Sequence, residues 1–230
     1  MKKSGLTAHC LVRNEENWVW YAINSVLPYV EQIIVFDTGS ADKTVKIIKS
    51  IDSPKIIFEE KGKADKVRYA LLRQEMLDRT ETDWFMVLDG DEIWQEATIK
   101  ELIHALDSAK PFKDAVVVGE WMCQGDVFHY SKEVESLSDP KAPANLTGYR
   151  LARAIRKLDG LKVIGIYGIE SYADKNNCNV SDWEKKRLIY LRNRFIHMSF
   201  LPRSSRINFD RDVMLRAPKT RFTKGIPFPV

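Results

Sequence analysis

Along the first 120 residues, apolar runs too short for a typical helix alternate with stretches whose apolar residues recur at helical spacing, and few folds accept that alternation. Leu6 to Val12, Gln32 to Phe36, Lys55 to Phe58, Asp83 to Leu88 and Ala115 to Val118 read as strands. Between the first two, Trp18, Val19, Ala22, Ile23, Val26 and Leu27 mark a helix, with Asn14 as N-cap, Glu15 and Glu16 in its first turn and Pro28 ending it. Asp42 to Ser50, Asp65 to Arg79 and the stripe Ile99, Leu102, Ile103, Leu106 supply three more helices. Such a chain is α/β, with a mainly parallel central sheet and helices on both faces.

Beyond Gly119 the pattern weakens. Tyr149 to Ile155 and Lys162 to Ile166 suit hairpin strands around Asp159-Gly160, and Leu188 to Phe200 holds one more strand. Gly125 to Asn145 reads as a mobile loop, and the final residues Ile226 to Val230 carry no clear element. The chain of 230 residues is long enough for one full core, so a single domain is expected. Residues 1–120 form its regular half and 121–230 an irregular half with a basic extension.

Hydrophobic residues at 44% and charged residues at 30% are ordinary for a globular protein. No apolar run approaches the roughly 20 residues that cross a bilayer, and Met1 to Leu11 lacks a signal-type stretch, which places the chain in the cytoplasm. Cys10, Cys123 and Cys178 are scattered without metal-ligand spacing and read as reduced thiols. From Lys185 to Lys224, twelve basic residues stand against Asp210 and Asp212, whereas the whole chain carries only +4. That surplus can draw phosphate, an anionic membrane surface or nucleic acid, so peripheral membrane contact is one expectation and a solvated basic surface the other.

The strand at Asp83 ends in chemistry: DWFMVLDGDEIW passes from apolar residues directly into three carboxylates. Asp89 and Asp91 are two positions apart, so an extended backbone directs both to one side, and Gly90 between them lets another group approach closely. Two hard oxygen ligands at the carboxyl end of a strand suit Mn²⁺ or Mg²⁺ that also coordinates substrate phosphates. A lone D-G-D is more often a turn than a metal site.

Taken together, LTAHCLVRNEENWVWYAINSVLPYVEQIIVFDTGSADKTVKII and DWFMVLDGDE resemble the family-2 glycosyltransferases, whose Rossmann-like GT-A fold binds nucleotide sugars. The likeness covers about the first half of the chain. It rests on D-T-G-S-x-D-x-T followed, about fifty residues on, by a strand and D-x-D-E. The resemblance implies that residues 1–120 are the nucleotide-sugar-binding half and 121–230 the acceptor side. It assigns Thr7, Ala8 and Asp37 to the nucleotide, Asp89, Gly90 and Asp91 to cation and diphosphate, and Arg68 on the third helix to the phosphates. In a sheet of order 3-2-1-4, Asp37 and Asp89 open onto the same edge.

Glycosyl transfer also needs a carboxylate to take the acceptor's proton. Glu170, in KVIGIYGIESY with Gly165 and Gly168 nearby, is the first choice, with Asp126 and Asp174 open as alternatives. Related enzymes can bring a late histidine to the cation, which would be His197; otherwise it is a structural histidine. Arg203, Ser204, Ser205 and Arg206 could clamp phosphate.

The function so implied is a metal-dependent, inverting, non-processive transfer of sugar from a nucleoside diphosphate donor to a hydroxyl of a glycan, a lipid-linked sugar or a small molecule. No Q-x-x-R-W motif of processive synthases occurs. A sugar-nucleotide pyrophosphorylase competes, but it calls for a glycine-rich loop where Val12 to Glu15 stands. Nucleic-acid binding through the basic segment lacks a recognition helix or zinc spacing, which argues against it.

Overall fold

The computed structural model describes residues 3–137, 139–201 and 226–228. In chain order the elements are β1 (Lys3–Val12), α1 (Val19–Val26), β2 (Gln32–Asp37), α2 (Thr44–Lys49), β3 (Ile56–Glu60), α3 (Lys66–Arg79), β4 (Thr82–Leu88), β5 (Glu92–Ile93), α4 (Glu96–Asp107), β6 (Ala115–Met122), β7 (His129–Tyr130), α5 (Lys132–Glu135), β8 (Arg150–Arg156), β9 (Lys162–Ile164), β10 (Ser171–Ala173), β11 (Leu188–His197) and β12 (Ile226–Pro227). Among the described residues the main sheet has eight strands in the order β3-β2-β1-β4-β8-β6-β11-β5. The first four are parallel, as is β6 with β11, while β8 and β5 run against their neighbours.

Side-chain alternation splits the core between the two faces. Ala8, Cys10, Ile33, Val35, Trp84 and Met86 pack with Val19, Ile23, Ile99 and Leu102 of α1 and α4. On the opposite face Leu11, Ile34 and Phe36 meet Leu72 and Met76 of α3, and Phe85 and Val87 meet Tyr172, Val180 and Trp183. Helices therefore cover both faces, as the alternation predicts. Among the described residues no helix is long and apolar enough to cross a membrane.

Several elements depart from the sequence reading. Helix α1 begins at Val19 with Trp18 as its N-cap residue, so Glu15 and Glu16 precede it. Asn14 is not a cap: it has a left-handed φ of 54°, its N–H donates to Ser40 Oγ (2.8 Å), and its side-chain oxygen accepts from the Ala41 N–H (2.7 Å). The strands flanking Asp159-Gly160 do not pair as a hairpin. Strand β8 is inserted between β4 and β6, and β9 pairs instead with β10. A run with apolar residues on both sides is best buried in the middle of a sheet, which a two-stranded ribbon cannot offer. The stretch read as a loop contains β7 and α5, and Ile226–Pro227, read as featureless, forms β12 against β7, where Phe228 packs on Trp121 and Tyr130. The basic stretch is partly neutralised: Arg187 pairs with Asp114 and Asp174, and Arg194 with Glu135.

His9 lies in the middle of β1, buried and stacked on Phe85 with ring centroids 4.7 Å apart. Its Nε2 is 2.6 Å from Thr80 Oγ1, whose hydroxyl donates to the Met76 carbonyl, so the imidazole is the donor in that pair. Burial, with Arg73 and Lys157 adding to it, holds its pKa well below 6.5. The folded state thus keeps His9 neutral while the unfolded chain takes up a proton as pH falls through about 6.5, and stability drains away below that pH. Urea midpoints measured from pH 7 to 5 should fall less steeply for His9→Gln than for the parent; parallel lines would mean that His9 does not titrate on unfolding.

Candidate active site

The carboxyl ends of β1, β2 and β4 open at one edge, and the residues there are held by a dense set of hydrogen bonds. Asp37 ends β2 and is buried. Its Oδ1 accepts from the N–H groups of Gly39 (2.9 Å) and Ser40 (3.0 Å), and its Oδ2 from the Ser40 hydroxyl, so the carboxylate shapes the turn that follows. Thr38 donates to the Val12 carbonyl (3.0 Å), Thr44 Oγ1 accepts from the Glu15 N–H (2.7 Å) and Asp42 from the Glu16 N–H (3.2 Å). The D-T-G-S-x-D-x-T residues thereby latch the loop after β2 onto the loop after β1.

Asp89 follows β4 and is the partly open carboxylate, with its side chain 33% exposed. Its Oδ1 is 3.1 Å from Arg73 Nη2 of α3 and its Oδ2 3.2 Å from Arg153 Nη2 of β8. Burial works against its charge, but Arg153 and Arg73 outweigh it and hold the carboxyl below the usual range. Arg153 also pairs with Glu92, which is fully buried. Burial pushes Glu92 well above its ordinary value against the pull of Arg153, with the charge of Asp89 adding to the rise. Gly90 is dictated by packing within the chain, since a Cβ there would lie 2.9 Å from Val12 Cγ1 and 3.0 Å from Glu15 Cγ.

Asp91, the second of the two expected oxygen ligands, is buried at 2% exposed. Its carbonyl accepts from the Met198 N–H (2.9 Å), and its Oδ2 is 3.3 Å from His197 Nε2. The other ring nitrogen, Nδ1, is 2.8 Å from Glu120 Oε2. Burial opposes protonation of His197, yet Asp91 and Glu120 on either side raise its pKa well above 6.5. Strand pairing sets this contact, because β5 lies antiparallel on β11 with His197 opposite Glu92. As it stands the ring is an imidazolium between two carboxylates; it could join Asp91 in holding a divalent cation only on giving up the proton at Nε2, with Glu120 then fixing the ring through Nδ1. Among the described residues no three His, Cys, Asp or Glu side chains converge as a finished cage.

Other expected residues lie elsewhere. Thr7 and Ala8 are buried in the middle of β1: the Thr7 hydroxyl is 2.8 Å from Thr82 Oγ1, and Ala8 packs under the helices. Neither presents an atom at the edge. Arg68 is exposed and donates to the carbonyls of Lys61 (2.6 Å) and Lys63 (3.4 Å), and the α3 cation beside Asp89 is Arg73. Asp174 is engaged by Arg187 (2.9 Å) and by turn N–H groups, and Asp126 by His129 (2.6 Å) and the Phe128 N–H. Glu170 alone of the three base candidates lines the cavity of about 540 Å³ that Asp89, Arg73 and Arg153 also line. The Gly168 N–H donates to its Oε2 (2.5 Å), within a turn where Gly165 and Gly168 have φ of 84° and 90°. Arg203, with Ser204, Ser205 and Arg206, falls outside the described residues. Arg73, Arg153, Glu92 and Glu120 were missed; for Arg73 a signal existed, since it lies in register with the inward Leu72 and Met76.

The sequence model of glycosyl transferase family 2 matches residues 10–164. Over 92 residues the chain is 32% identical to the SPbeta prophage-derived glycosyltransferase SunS of Bacillus subtilis, a match covering 40% of this chain and 21% of that protein. The matched stretch thus spans about a fifth of the relative's length. Glucosyl-3-phosphoglycerate synthase from Mycobacterium tuberculosis, solved with phosphoglyceric acid, is similar at a TM-score of 0.55 and 15% identity, covering 92% of this chain and 75% of that one. S. aureus TarS is similar at 0.52 and 14%, covering 86% and 61%. At such identities the likeness is one of fold.

Arg153→Met keeps much of the aliphatic stem and removes the charge shared by Asp89 and Glu92. Losing one partner of a buried pair typically costs about 3–5 kcal/mol. Against burial, Arg153 is the main charge that holds the Asp89 carboxyl down, so the stability that ionised Asp89 contributes above about pH 3.8 in the parent shrinks in the variant, and that contribution is lost in both as pH falls. The stability deficit of the variant should therefore be larger at pH 6 than at pH 3 in urea titrations. An equal deficit at both would show that Arg153 does not govern the charge of Asp89.

Proposed function

This chain belongs to glycosyl transferase family 2, and on that premise we propose that it moves one sugar from a nucleoside diphosphate donor to an acceptor hydroxyl, with inversion and with a divalent cation. The observation that carries the reading is the meeting of Asp89 with two arginines, and of Asp91 with His197, at the carboxyl edge of the parallel strands. Asp91 and His197 would hold Mn²⁺ or Mg²⁺, with Asp89 alongside, and the diphosphate would complete the coordination. Bound there, the cation supplies Lewis-acid stabilisation of the charge on the leaving diphosphate.

The chain's own residues do the rest. Glu120 fixes the His197 ring, and Arg73 and Arg153 keep Asp89 ionised and add positive field where the phosphates lie. The Asp37 turn and its latch to the β1 loop form the shelf for the nucleoside, so Asp37 acts by positioning. In the transfer, the acceptor oxygen forms a bond to the anomeric carbon while the bond from that carbon to the diphosphate oxygen breaks, its electron pair leaving with the phosphate. The acceptor's proton passes to the Glu170 carboxylate. A pyrophosphorylase reading is disfavoured because the loop after β1 is occupied with the latch and forms no glycine-rich phosphate cradle.

Ligands that bind only the native state raise its apparent melting temperature, so UDP and GDP with Mn²⁺ should shift the parent by more than either nucleotide alone. Asp91→Asn should remove the Mn²⁺-dependent part of that shift; a shift equal to the parent's would take Asp91 out of the site. Glu170→Gln keeps shape but accepts no proton, so transfer should fall roughly 10²-fold with nucleotide affinity unchanged. Transfer at the parental rate, with chemistry rate-limiting, would move the base elsewhere.

A further inference from the structure

At the tip of the β9–β10 pair the fold holds large apolar side chains out into solvent. Residues 165–169, with the sequence GIYGI, are all exposed, and Ile169 is 69% exposed. Hydrogen bonds and close packing fix the shape of this turn. The Ile169 N–H donates to the Ile166 carbonyl (2.9 Å) and the Gly168 N–H to Glu170 Oε2 (2.5 Å). Gly165 has a φ of 84°, and a Cβ there would lie 2.6 Å from the Ile169 carbonyl oxygen, so only glycine lets the turn close with its isoleucines outward.

Helix α3 extends the patch. The Tyr167 N–H donates to the Lys66 carbonyl (2.9 Å), the Tyr167 ring meets Tyr69 edge-on with centroids 4.5 Å apart, and the Val163 N–H donates to Gln74 Oε1 (2.7 Å). Beside this seam stand Val67 and Leu71, one turn apart on α3 and each more than half exposed. The polar surroundings are basic: Lys63, Lys66, Arg68 and Lys162 are exposed, and Lys63, Lys66 and Lys162 form no ion pair among the described residues. Asp65, in the same stretch, is the N-cap of α3, its Oδ1 accepting from the N–H groups of Val67 (3.0 Å) and Arg68 (2.7 Å).

Exposed apolar residues gathered inside a polar rim mark a contact surface. Lysine is depleted from interfaces between proteins. At a lipid surface, by contrast, lysine stems lie along the apolar boundary while their ammonium groups reach the headgroups, and tyrosine settles at the same depth. We propose that this tip docks the protein on an anionic lipid bilayer. Ile166, Tyr167 and Ile169 of the turn, with Val67 and Leu71 of α3, enter the boundary between headgroups and acyl chains, and the lysines meet the lipid phosphates. This surface is distinct from the basic stretch Lys185 to Lys224. The turn leads directly into Glu170, which lines the cavity together with Asp89, so docking sets the mouth of that cavity at the lipid surface. Docking of this kind is independent of the reaction carried out at Asp89.

Flotation of the full chain, without nucleotide, with vesicles of phosphatidylcholine alone and of phosphatidylcholine mixed with phosphatidylglycerol tests this. The protein should float with the mixed vesicles and far less with the neutral ones. Ile166→Ser combined with Ile169→Ser should lower the partition coefficient about tenfold or more. These changes remove no charge, so binding through Lys185 to Lys224 alone would survive them. Val67→Gln combined with Leu71→Gln should weaken binding in the same direction, and it carries the test if the turn variant does not fold. Equal binding of the parent to both kinds of vesicle, or parental binding by the variant that carries the test, overturns the proposal. Absence of vesicle binding by the parent overturns it too, and a dimer in solution that the same substitutions dissolve would then assign the patch to a second copy of the chain.

Discussion

Asp89 keeps its charge in a half-buried position because two guanidinium groups reach it, one at each carboxylate oxygen. One comes from α3, which covers a face of the sheet, and the other from β8, a strand within it. Isolated charges of either sign would be strongly unfavourable there. The pairing of Asp89 with Arg73 and Arg153, and of Arg153 with the Glu92 carboxyl, is therefore a condition of the fold as well as a property of the site. The backbone turn from Asp89 to Glu92 places both carboxylates around Arg153, and Glu92 with Ile93 forms β5 against β11. That pairing in turn brings His197 to Asp91. A single charge cluster thus links the helical layer, the middle of the sheet and its edge.

The alternation of strand and helix was legible because each element repeats one physical period many times. The order β3-β2-β1-β4 and the convergence of Asp37 and Asp89 at one edge followed from it. What failed was information carried by partners. Arg68 and Arg73 are five positions apart, which at 3.6 residues per turn places them on different sides of α3, and only the inward one can reach Asp89. Asp37 looked like a ligand and is spent on its own turn. Thr7 and Ala8 carry the family pattern but sit too deep in β1. Arg153 and Glu120 had no signal, since nothing in a single sequence marks a charged residue on a strand as buried and paired across sixty residues.

The residues that carry the family resemblance are largely concerned with shape. Asn14, Asp37, Thr38, Ser40, Asp42 and Thr44 exchange hydrogen bonds among two loops, and Gly90 is required by Val12 and Glu15. The signature therefore specifies a rigid platform where strands end. The later half adds β8, β9 and β10, which wall the cavity.

The reversed insertion of β8 has a consequence for how the chain is made. Synthesis delivers β1 to β4 first, and until Arg150–Arg156 has emerged the edge of β4 has no neighbour on that side and Glu92 has no cation. The nascent first half would display the run Trp84 to Leu88 as an open template for another chain, in the manner of unprotected edge strands. Strand β8 is what closes that edge, and a chain cut near residue 120 would leave it open.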